Sequence, residues 1–332
     1  MRLRKFDDMH LHLRQGEMLK LVLPYTLSQC ARALVMPNTS PAVLTASDLA
    51  NYRSEILQAA GSAKAGFEPL MTFKITPACD SSSIASLKSA GAIAGKLYPD
   101  GVTTNSEGGV RDFRALFPVY EAMQEAGLVL CLHGELPGAF SPDREEKFLE
   151  ALQEIAARFT RLKIVLEHVT TAAAVACVSA LPANVAATIT LHHLYITLDD
   201  LLGDKLNPHN FCKPVAKRPE DREALIKAAT SGSAKFFFGS DSAPHSIEAK
   251  ECACGAAGVY SAPVLAPLLK QLFDDVGSDQ LENFVSRFGA DFYGLPVNQD
   301  FIELKEEEWL VPEVLDGIKP FMAGSRLRWR LV

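Results

Sequence analysis

Short apolar runs alternate with amphipathic stretches along the whole of this 332-residue chain. Each run is continuously apolar for most of its length, which is typical of a strand that is buried on both faces in a parallel sheet. Eight runs have this character, at residues 7–13, 33–38, 67–75, 92–99, 128–134, 163–169, 185–193 and 236–241.

The stretches between these runs have the spacing and the punctuation of helices. Apolar residues recur at helical spacing before Gly127, and Ser141 followed by Pro142 marks the start of another helix. Eight strand–helix units predict an α/β fold, a (β/α)8 TIM barrel. Further helices near 262–275 and 279–288, with a short tail after them, predict a short C-terminal helical extension.

Composition places the chain among ordinary globular proteins. It is 48% hydrophobic and 22% charged, and no linker or repeat divides it, so we interpret residues 1–332 as one domain. A net charge of −7 without runs of like charge argues against a nucleic-acid partner or an anionic membrane surface. Seven scattered cysteines and the lack of a signal-peptide pattern predict a cytoplasmic protein with reduced thiols.

Polar side chains stand at the ends of five predicted strands. The carboxyl ends of barrel strands converge on one rim and supply catalytic groups from several strands. A single histidine is more often a core or surface residue, but four histidines at the same rim indicate a prepared site. The residues are His10 and His12 on the first strand, Lys96 on the fourth, His133 on the fifth, His168 on the sixth and Asp241 on the eighth.

Neutral imidazoles with a carboxylate form a ligand set for zinc or a similar ion. One metal could take His10, His12 and Asp241, and a second His133 and His168, but each would then lack a ligand. Lys96, as the carbamate formed with CO2, offers one oxygen to each metal and would bridge them. The alternative is a lysine that reaches from the strand end to solvent.

The motifs that carry these residues identify a resemblance over nearly the whole chain. In order they are DDMHLHLR, MPNT, GKLYPDGVTTNSEGG, LHGE, LEHVTT and GSDSAPH. Together they resemble the dihydroorotases of the short, single-barrel class (class II type) in the amidohydrolase superfamily. The resemblance implies reversible cyclisation of N-carbamoyl-L-aspartate to L-dihydroorotate in pyrimidine biosynthesis, two Zn2+ bridged by hydroxide and carboxylated lysine, and a homodimer. Its metal ligands fall on His10, His12, Lys96, His133, His168 and Asp241.

The resemblance also implies roles for residues around the metals. Asp241 would be the general acid/base, by accepting a proton from the hydroxide and passing it to the leaving nitrogen. Arg14 offers a bidentate fork for a substrate carboxylate, although an ion pair with Asp7 or Asp8 is the alternative for its side chain. The other implied substrate residues are Asn38, His245, the main chain near Ala257, Lys213 through its backbone, and Thr103 and Thr104 in a closing loop.

Three alternatives remain open on the sequence. Another cyclic amidohydrolase, such as a hydantoinase or allantoinase, would use the same metals on a different ring, but usually carries a β-sandwich segment before the barrel. A mononuclear deaminase has no use for a bridging lysine. A non-catalytic barrel that serves as a scaffold would be expected to have lost ligands, whereas all six are present.

Overall fold

A computed structural model of the protein describes residues 1–103, 106 and 108–332, without the side chains of residues 64 and 65. Eight parallel strands form one sheet in sequence order, as the eight apolar runs predict. A short N-terminal strand, β1 (Arg2–Arg4), precedes them. The barrel strands are β2 (Phe6–Leu11), β3 (Cys30–Val35), β4 (Glu68–Ile75), β5 (Ala92–Leu97), β6 (Val129–His133), β7 (Ile164–Glu167), β8 (Val185–Ile189) and β9 (Phe236–Phe238).

The first and last strands of this sheet meet just beyond β9. The Asp241 amide donates to the His10 carbonyl over 2.7 Å, and the His12 amide donates to the Ser242 carbonyl over 3.0 Å. These two hydrogen bonds bring the carboxyl ends of β2 and β9 together. The predicted TIM barrel is therefore confirmed.

Helices connect the strands on the outside of the barrel. The expected stop at Gly127 is confirmed, since that residue ends its helix in the left-handed conformation with φ 65°. The predicted strand over 185–193 is too long, because Leu191–Tyr195 is helical. The helices are α1 (Gly16–Gln29), α2 (Ala46–Ala60), α3 (Ile84–Ser89), α4 (Phe117–Ala126), α5 (Arg144–Arg158), α6 (Ala172–Ala180), α7 (Leu191–Tyr195), α8 (Asp199–Leu202), α9 (Pro219–Thr230), α10 (Ile247–Lys250), α11 (Leu265–Val276) and α12 (Phe288–Tyr293).

The barrel has its own buried core, separate from the layer between strands and helices. All eight strands contribute to it, with Leu70, Ala94 and Phe237 among its members. Aromatic side chains of α12 pack against this core, and Phe237 lies 5.5 Å from Phe292 between ring centroids. The amino ends of the strands are thereby covered, and the carboxyl ends are left to form a pocket.

Strict alternation of side chains fails in β2 at Met9. The pattern predicts that Met9 faces away from His10, yet Met9 packs in the inner core of the barrel. The register between β2 and β3 explains this, because Asp8 lies opposite Ala33 and Leu11 opposite Val35. Three steps along β2 match two along β3, so the irregularity turns both Met9 and the next histidine inward.

The end of the chain is more than the helical extension that the sequence predicts. The helix expected near 262–275 is α11, and the one near 279–288 continues to the end of α12. Two strands follow, β10 (Phe301–Leu310) and β11 (Arg326–Leu331), and they form an antiparallel sheet with β1. Both chain ends therefore belong to one small sheet. The treatment of residues 1–332 as one domain stays a prediction.

No helix in the described part of the chain is long and apolar enough to cross a membrane. All seven cysteines are free thiols, as the sequence predicts.

Candidate active site

A pocket lies at the carboxyl ends of the barrel strands, where the sequence predicts the chemistry. Five of the six predicted metal ligands line it, and Lys96 is buried in the same region beside Tyr98. The lining residues are His10, His12, Arg14, Asn38, Tyr98, Thr103, His133, His168, Lys213, Asp241, Ala243, Ala257 and Gly258.

Three potential ligand atoms converge where β2 meets the end of β9. Oδ1 of Asp241 lies 3.0 Å from Nε2 of His12 and 3.5 Å from Nε2 of His10. All three side chains are nearly excluded from solvent, and their ligand atoms lie close enough together for one ion to reach them all. Two imidazoles and a carboxylate are suitable ligands for zinc.

The other predicted ligands continue this cluster across the pocket floor. The His168 ring centroid lies 5.0 Å from that of His10 and 4.8 Å from that of His133. Lys96 has no exposed surface, so the alternative of a lysine that reaches solvent is wrong. Its Nζ and Nδ1 of His168 are buried polar atoms without a hydrogen-bond partner in the described structure. Such atoms are costly to bury unless a ligand satisfies them.

Carboxylates hold two of the imidazoles in fixed orientations. Oε2 of Glu167 lies 2.8 Å from Nδ1 of His10 and accepts a hydrogen bond from Thr188. Oε2 of Glu135 lies 2.7 Å from Nε2 of His133. A carboxylate on one ring nitrogen selects the tautomer that leaves the other nitrogen free to bind a metal. The sequence reasoning missed both acids, although Glu167 stands out as a charge within an apolar strand beside His168.

Burial favours the protonation states that metal binding requires in the imidazoles and in Lys96. It lowers the pKa of His12 to about 4, despite the opposing effect of Asp241, and the pKa of His168 well below its usual value. It also lowers the pKa of Lys96, which favours the free amine that reacts with CO2. Burial acts to raise the pKa of Asp241, but the hydrogen bond from His12 and the nearby imidazoles outweigh it and keep the carboxylate ionised.

Arg14 lies at the edge of the pocket without a carboxylate partner. Its Nε donates to the Pro244 carbonyl over 3.1 Å, and Nη2 lies 2.9 Å from Nε2 of His245. Among the described residues no acid lies within ion-pair distance of Arg14, so its predicted alternative role in an ion pair is wrong. Asp7 pairs instead with Arg32.

His245 occupies a position between two competing partners. Its Nε2 lies 2.9 Å from the Arg14 guanidinium and 3.1 Å from the Ala257 carbonyl. One ring nitrogen cannot accept from the first and donate to the second at the same time. A ligand that engages Arg14 would therefore free His245 to donate to Ala257.

The remaining predicted substrate residues lie around the same pocket, with one exception. Asn38, Thr103 and Lys213 line it, and the Thr103 amide donates to Oγ of Ser106 over 3.0 Å. Thr104 lies outside the described residues. The sequence reasoning missed Tyr98, whose hydroxyl is buried without a hydrogen-bond partner in the described part of the chain. Its position two residues after Lys96 is the signal that could have identified it.

A second group of potential ligand atoms lies outside this pocket, on His192, His193 and Cys212. Both ring nitrogens of His193 already have partners, since Nδ1 lies 2.9 Å from Oγ1 of Thr190 and Nε2 lies 3.1 Å from the Pro214 carbonyl. Those contacts explain the burial of His193 without a metal.

Comparison with known proteins identifies relatives of this chain by sequence and by structure. A family model described as Amidohydrolase matches residues 45–192. A dihydroorotase of Teredinibacter turnerae is 45% identical over 98% of this chain and 96% of its own length. A crystal structure of dihydroorotase from Saccharomyces cerevisiae, in complex with 5-fluoroorotic acid, has a TM-score of 0.94 at 38% identity and covers 100% of this chain and 98% of its own.

A dihydroorotase structure from Campylobacter jejuni has a TM-score of 0.91 at 42% identity, with 100% of this chain and 97% of that chain covered. In each of these comparisons the similarity extends over nearly the full length of both proteins and includes the barrel and the terminal sheet. The chain belongs to the dihydroorotase family of the amidohydrolases.

Proposed function

We propose that this protein catalyses the reversible cyclisation of N-carbamoyl-L-aspartate to L-dihydroorotate, the pyrimidine-biosynthetic step implied by its family. The observation that carries the proposal is the pocket floor, where four imidazoles, one carboxylate and a solvent-excluded lysine converge below a guanidinium. The family comparisons favour this reaction over that of a hydantoinase or allantoinase. The complete set of predicted ligands disfavours a non-catalytic scaffold.

The residues at this site fit two metal ions, which we propose to be Zn2+. His10, His12 and Asp241 would hold one ion, His133 and His168 the other, and carboxylated Lys96 would bridge them. The buried, unpartnered nitrogens of Lys96 and His168 support this assignment. Bound metal supplies a Lewis acid that polarises the amide carbonyl and lowers the pKa of water.

The side chains of the chain itself account for binding and proton transfer. The Arg14 fork would bind the substrate carboxylate, with Asn38 and His245 beside it. In the hydrolytic direction, the Asp241 carboxylate would accept a proton from the attacking water and deliver it to the leaving ring nitrogen. Ring closure reverses these steps and takes up one proton, because a carboxylate and a ureido nitrogen condense with loss of water. Lower pH should therefore favour cyclisation.

The family also supports proposals about the oligomeric state and the cellular location of the enzyme. We propose a homodimer in the cytoplasm, because the resemblance implies the first and the seven free thiols are compatible with the second. The partner of the site is a small molecule.

The test is an assay of the purified protein in both directions, together with metal analysis. We expect the absorbance of dihydroorotate to rise when carbamoyl aspartate is the substrate and to fall when dihydroorotate is the substrate. Metal analysis should find two metal ions per chain. Asp241→Asn is the matched variant, because it removes the proton acceptor with little change of size. Turnover of hydantoin or allantoin with no turnover of dihydroorotate would contradict the proposal.

A further inference from the structure

Lys250, the last residue of α10, is a buried cation that no carboxylate neutralises. It is 3% exposed, and within the described ranges no acid lies within ion-pair distance of its ammonium group. Nζ instead donates to three main-chain carbonyls, those of Phe211 over 2.9 Å, Ala256 over 2.8 Å and Gly258 over 2.6 Å. Its three N–H donors therefore have three acceptors.

These carbonyls belong to two segments that form one wall of the pocket. Phe211 lies two residues before Lys213, and Ala256 and Gly258 flank Ala257; Lys213, Ala257 and Gly258 all line the pocket. The Gly258 amide donates to the Phe211 carbonyl over 2.8 Å, which ties the two segments directly to each other. Lys250 itself is not among the residues that line the pocket, so it contacts the wall segments from outside the lining.

The direction of the Ala257 peptide group follows from this arrangement. The carbonyls before and after it are turned toward Lys250, whereas its own carbonyl lies 3.1 Å from Nε2 of His245. Only glycine fits at position 258, because its φ is +153° and an added Cβ would lie 2.4 Å from the Ala243 carbonyl oxygen. The ammonium group holds the two flanking carbonyls, and the carbonyl between them lies beside His245.

We propose that Lys250 is a positioning residue for substrate binding, which sets the direction of the Ala257 peptide group and the distance between the two wall segments. The inference rests on the proposed function, since it concerns the affinity for carbamoyl aspartate and dihydroorotate. A buried ammonium without a counter-ion is costly. The three carbonyl acceptors offset part of this cost, and they belong to the wall of the substrate pocket. The ammonium group therefore orders a part of the protein that binds substrate.

The test compares two lysines that bind main-chain carbonyls. Lys250→Met keeps an unbranched side chain as far as Cε and removes all three donors. Lys235→Met is the matched control, because Nζ of Lys235 binds the carbonyls of Val178, Leu181, Pro182 and Val185 near the amino ends of the strands, far from the pocket. Both variants should lower the melting temperature, but only the first should affect the substrate.

We expect Lys250→Met to raise KM for both substrates about tenfold or more, the equivalent of one well-directed hydrogen bond. Its kcat and its content of two metals should stay close to wild type, since uniform binding is what is lost. Lys250→Arg, which keeps a cationic donor, should recover part of the affinity. If Lys250→Met does not fold, Lys250→Gln replaces it with the same expectation. A KM within twofold of wild type in the folded variant would overturn the proposal.

Amide hydrogen exchange on the metal-loaded protein separates this inference from the proposed function. Lys250→Met should accelerate exchange at Ala256 and Gly258, whose amides donate to the Ala249 and Phe211 carbonyls, and Lys235→Met should not. A wild-type protein that turns over neither substrate would refute the proposed function, and the exchange result would still decide whether Lys250 orders the wall. Unchanged exchange in Lys250→Met would overturn the positioning role by itself.

Discussion

Arg14→Met should separate substrate binding from metal binding. Arg14 is half-buried, and none of the acids that the structure describes lies within ion-pair distance of its guanidinium. The substrate carboxylate would be its counter-ion, and methionine keeps the apolar stem while removing the charge and the fork.

The expected size of the effect follows from the contacts of the side chain. Nε is engaged by the Pro244 carbonyl and Nη2 is near His245, so a bidentate carboxylate would use the two terminal nitrogens. Hydrogen bonds to charged groups contribute about 1.5–3 kcal/mol each. Two bonds at the lower value give about 3 kcal/mol, which is a rise of about 100-fold in KM at about 1.4 kcal/mol per decade.

The assay measures KM for carbamoyl aspartate and for dihydroorotate, with metal content determined on the same samples. Arg14→Lys is the matched variant, which keeps the charge without the fork and should lose about tenfold. Dihydrouracil has the same ring without the carboxylate, so its binding should not depend on Arg14. Its inhibition constant should therefore be equal in wild type and Arg14→Met. An unchanged KM for both substrates, or an equal loss of affinity for dihydrouracil, would refute the carboxylate clamp.

Three further predictions concern the metals and the loop. Lys96→Ala should lose metal and activity, and short carboxylic acids with excess zinc should restore a little; two metals per chain with near-normal turnover would contradict the bridge. Glu167→Gln should weaken metal affinity about 10- to 100-fold in chelator competition, because it disturbs the carboxylate on Nδ1 of His10, and an unchanged affinity would rule out that orienting role. We predict that the loop closes over substrate, so Thr103→Ala/Thr104→Ala should lower kcat about ten- to a thousand-fold in both directions with metal content unchanged. Wild-type kcat in that double variant would leave the segment a plain connecting loop.

The barrel and the cluster of polar residues at its rim could be predicted because their signals are local. Each strand carries its own apolar run, and Lys96, His133 and His168 stand at the carboxyl ends of such runs. A parallel barrel brings those ends to one rim whatever the details of packing. The residue types that bind metal could therefore be grouped before any distance was known.

The pattern of apolar and polar residues could not predict contacts between distant segments. β1 pairs with β10 across the length of the chain, and a three-residue strand has no apolar run by which it could be recognised. The inward position of Met9 depends on how β2 aligns with β3, because a register shift reverses the face of every residue that follows it. Alternation read from one strand cannot report the register with its neighbour.

The sequence by itself determined which barrel strands form, in what order, and which polar side chains gather at their carboxyl ends. The tertiary structure alone decided what surrounds those side chains: Glu167 on His10, and the three carbonyls on Lys250. The physical reason is that strand formation follows from the pattern of neighbouring residues, whereas a hydrogen bond between segments depends on the position and direction of both partners. Those directions exist only once the barrel has closed and each segment is held by the others.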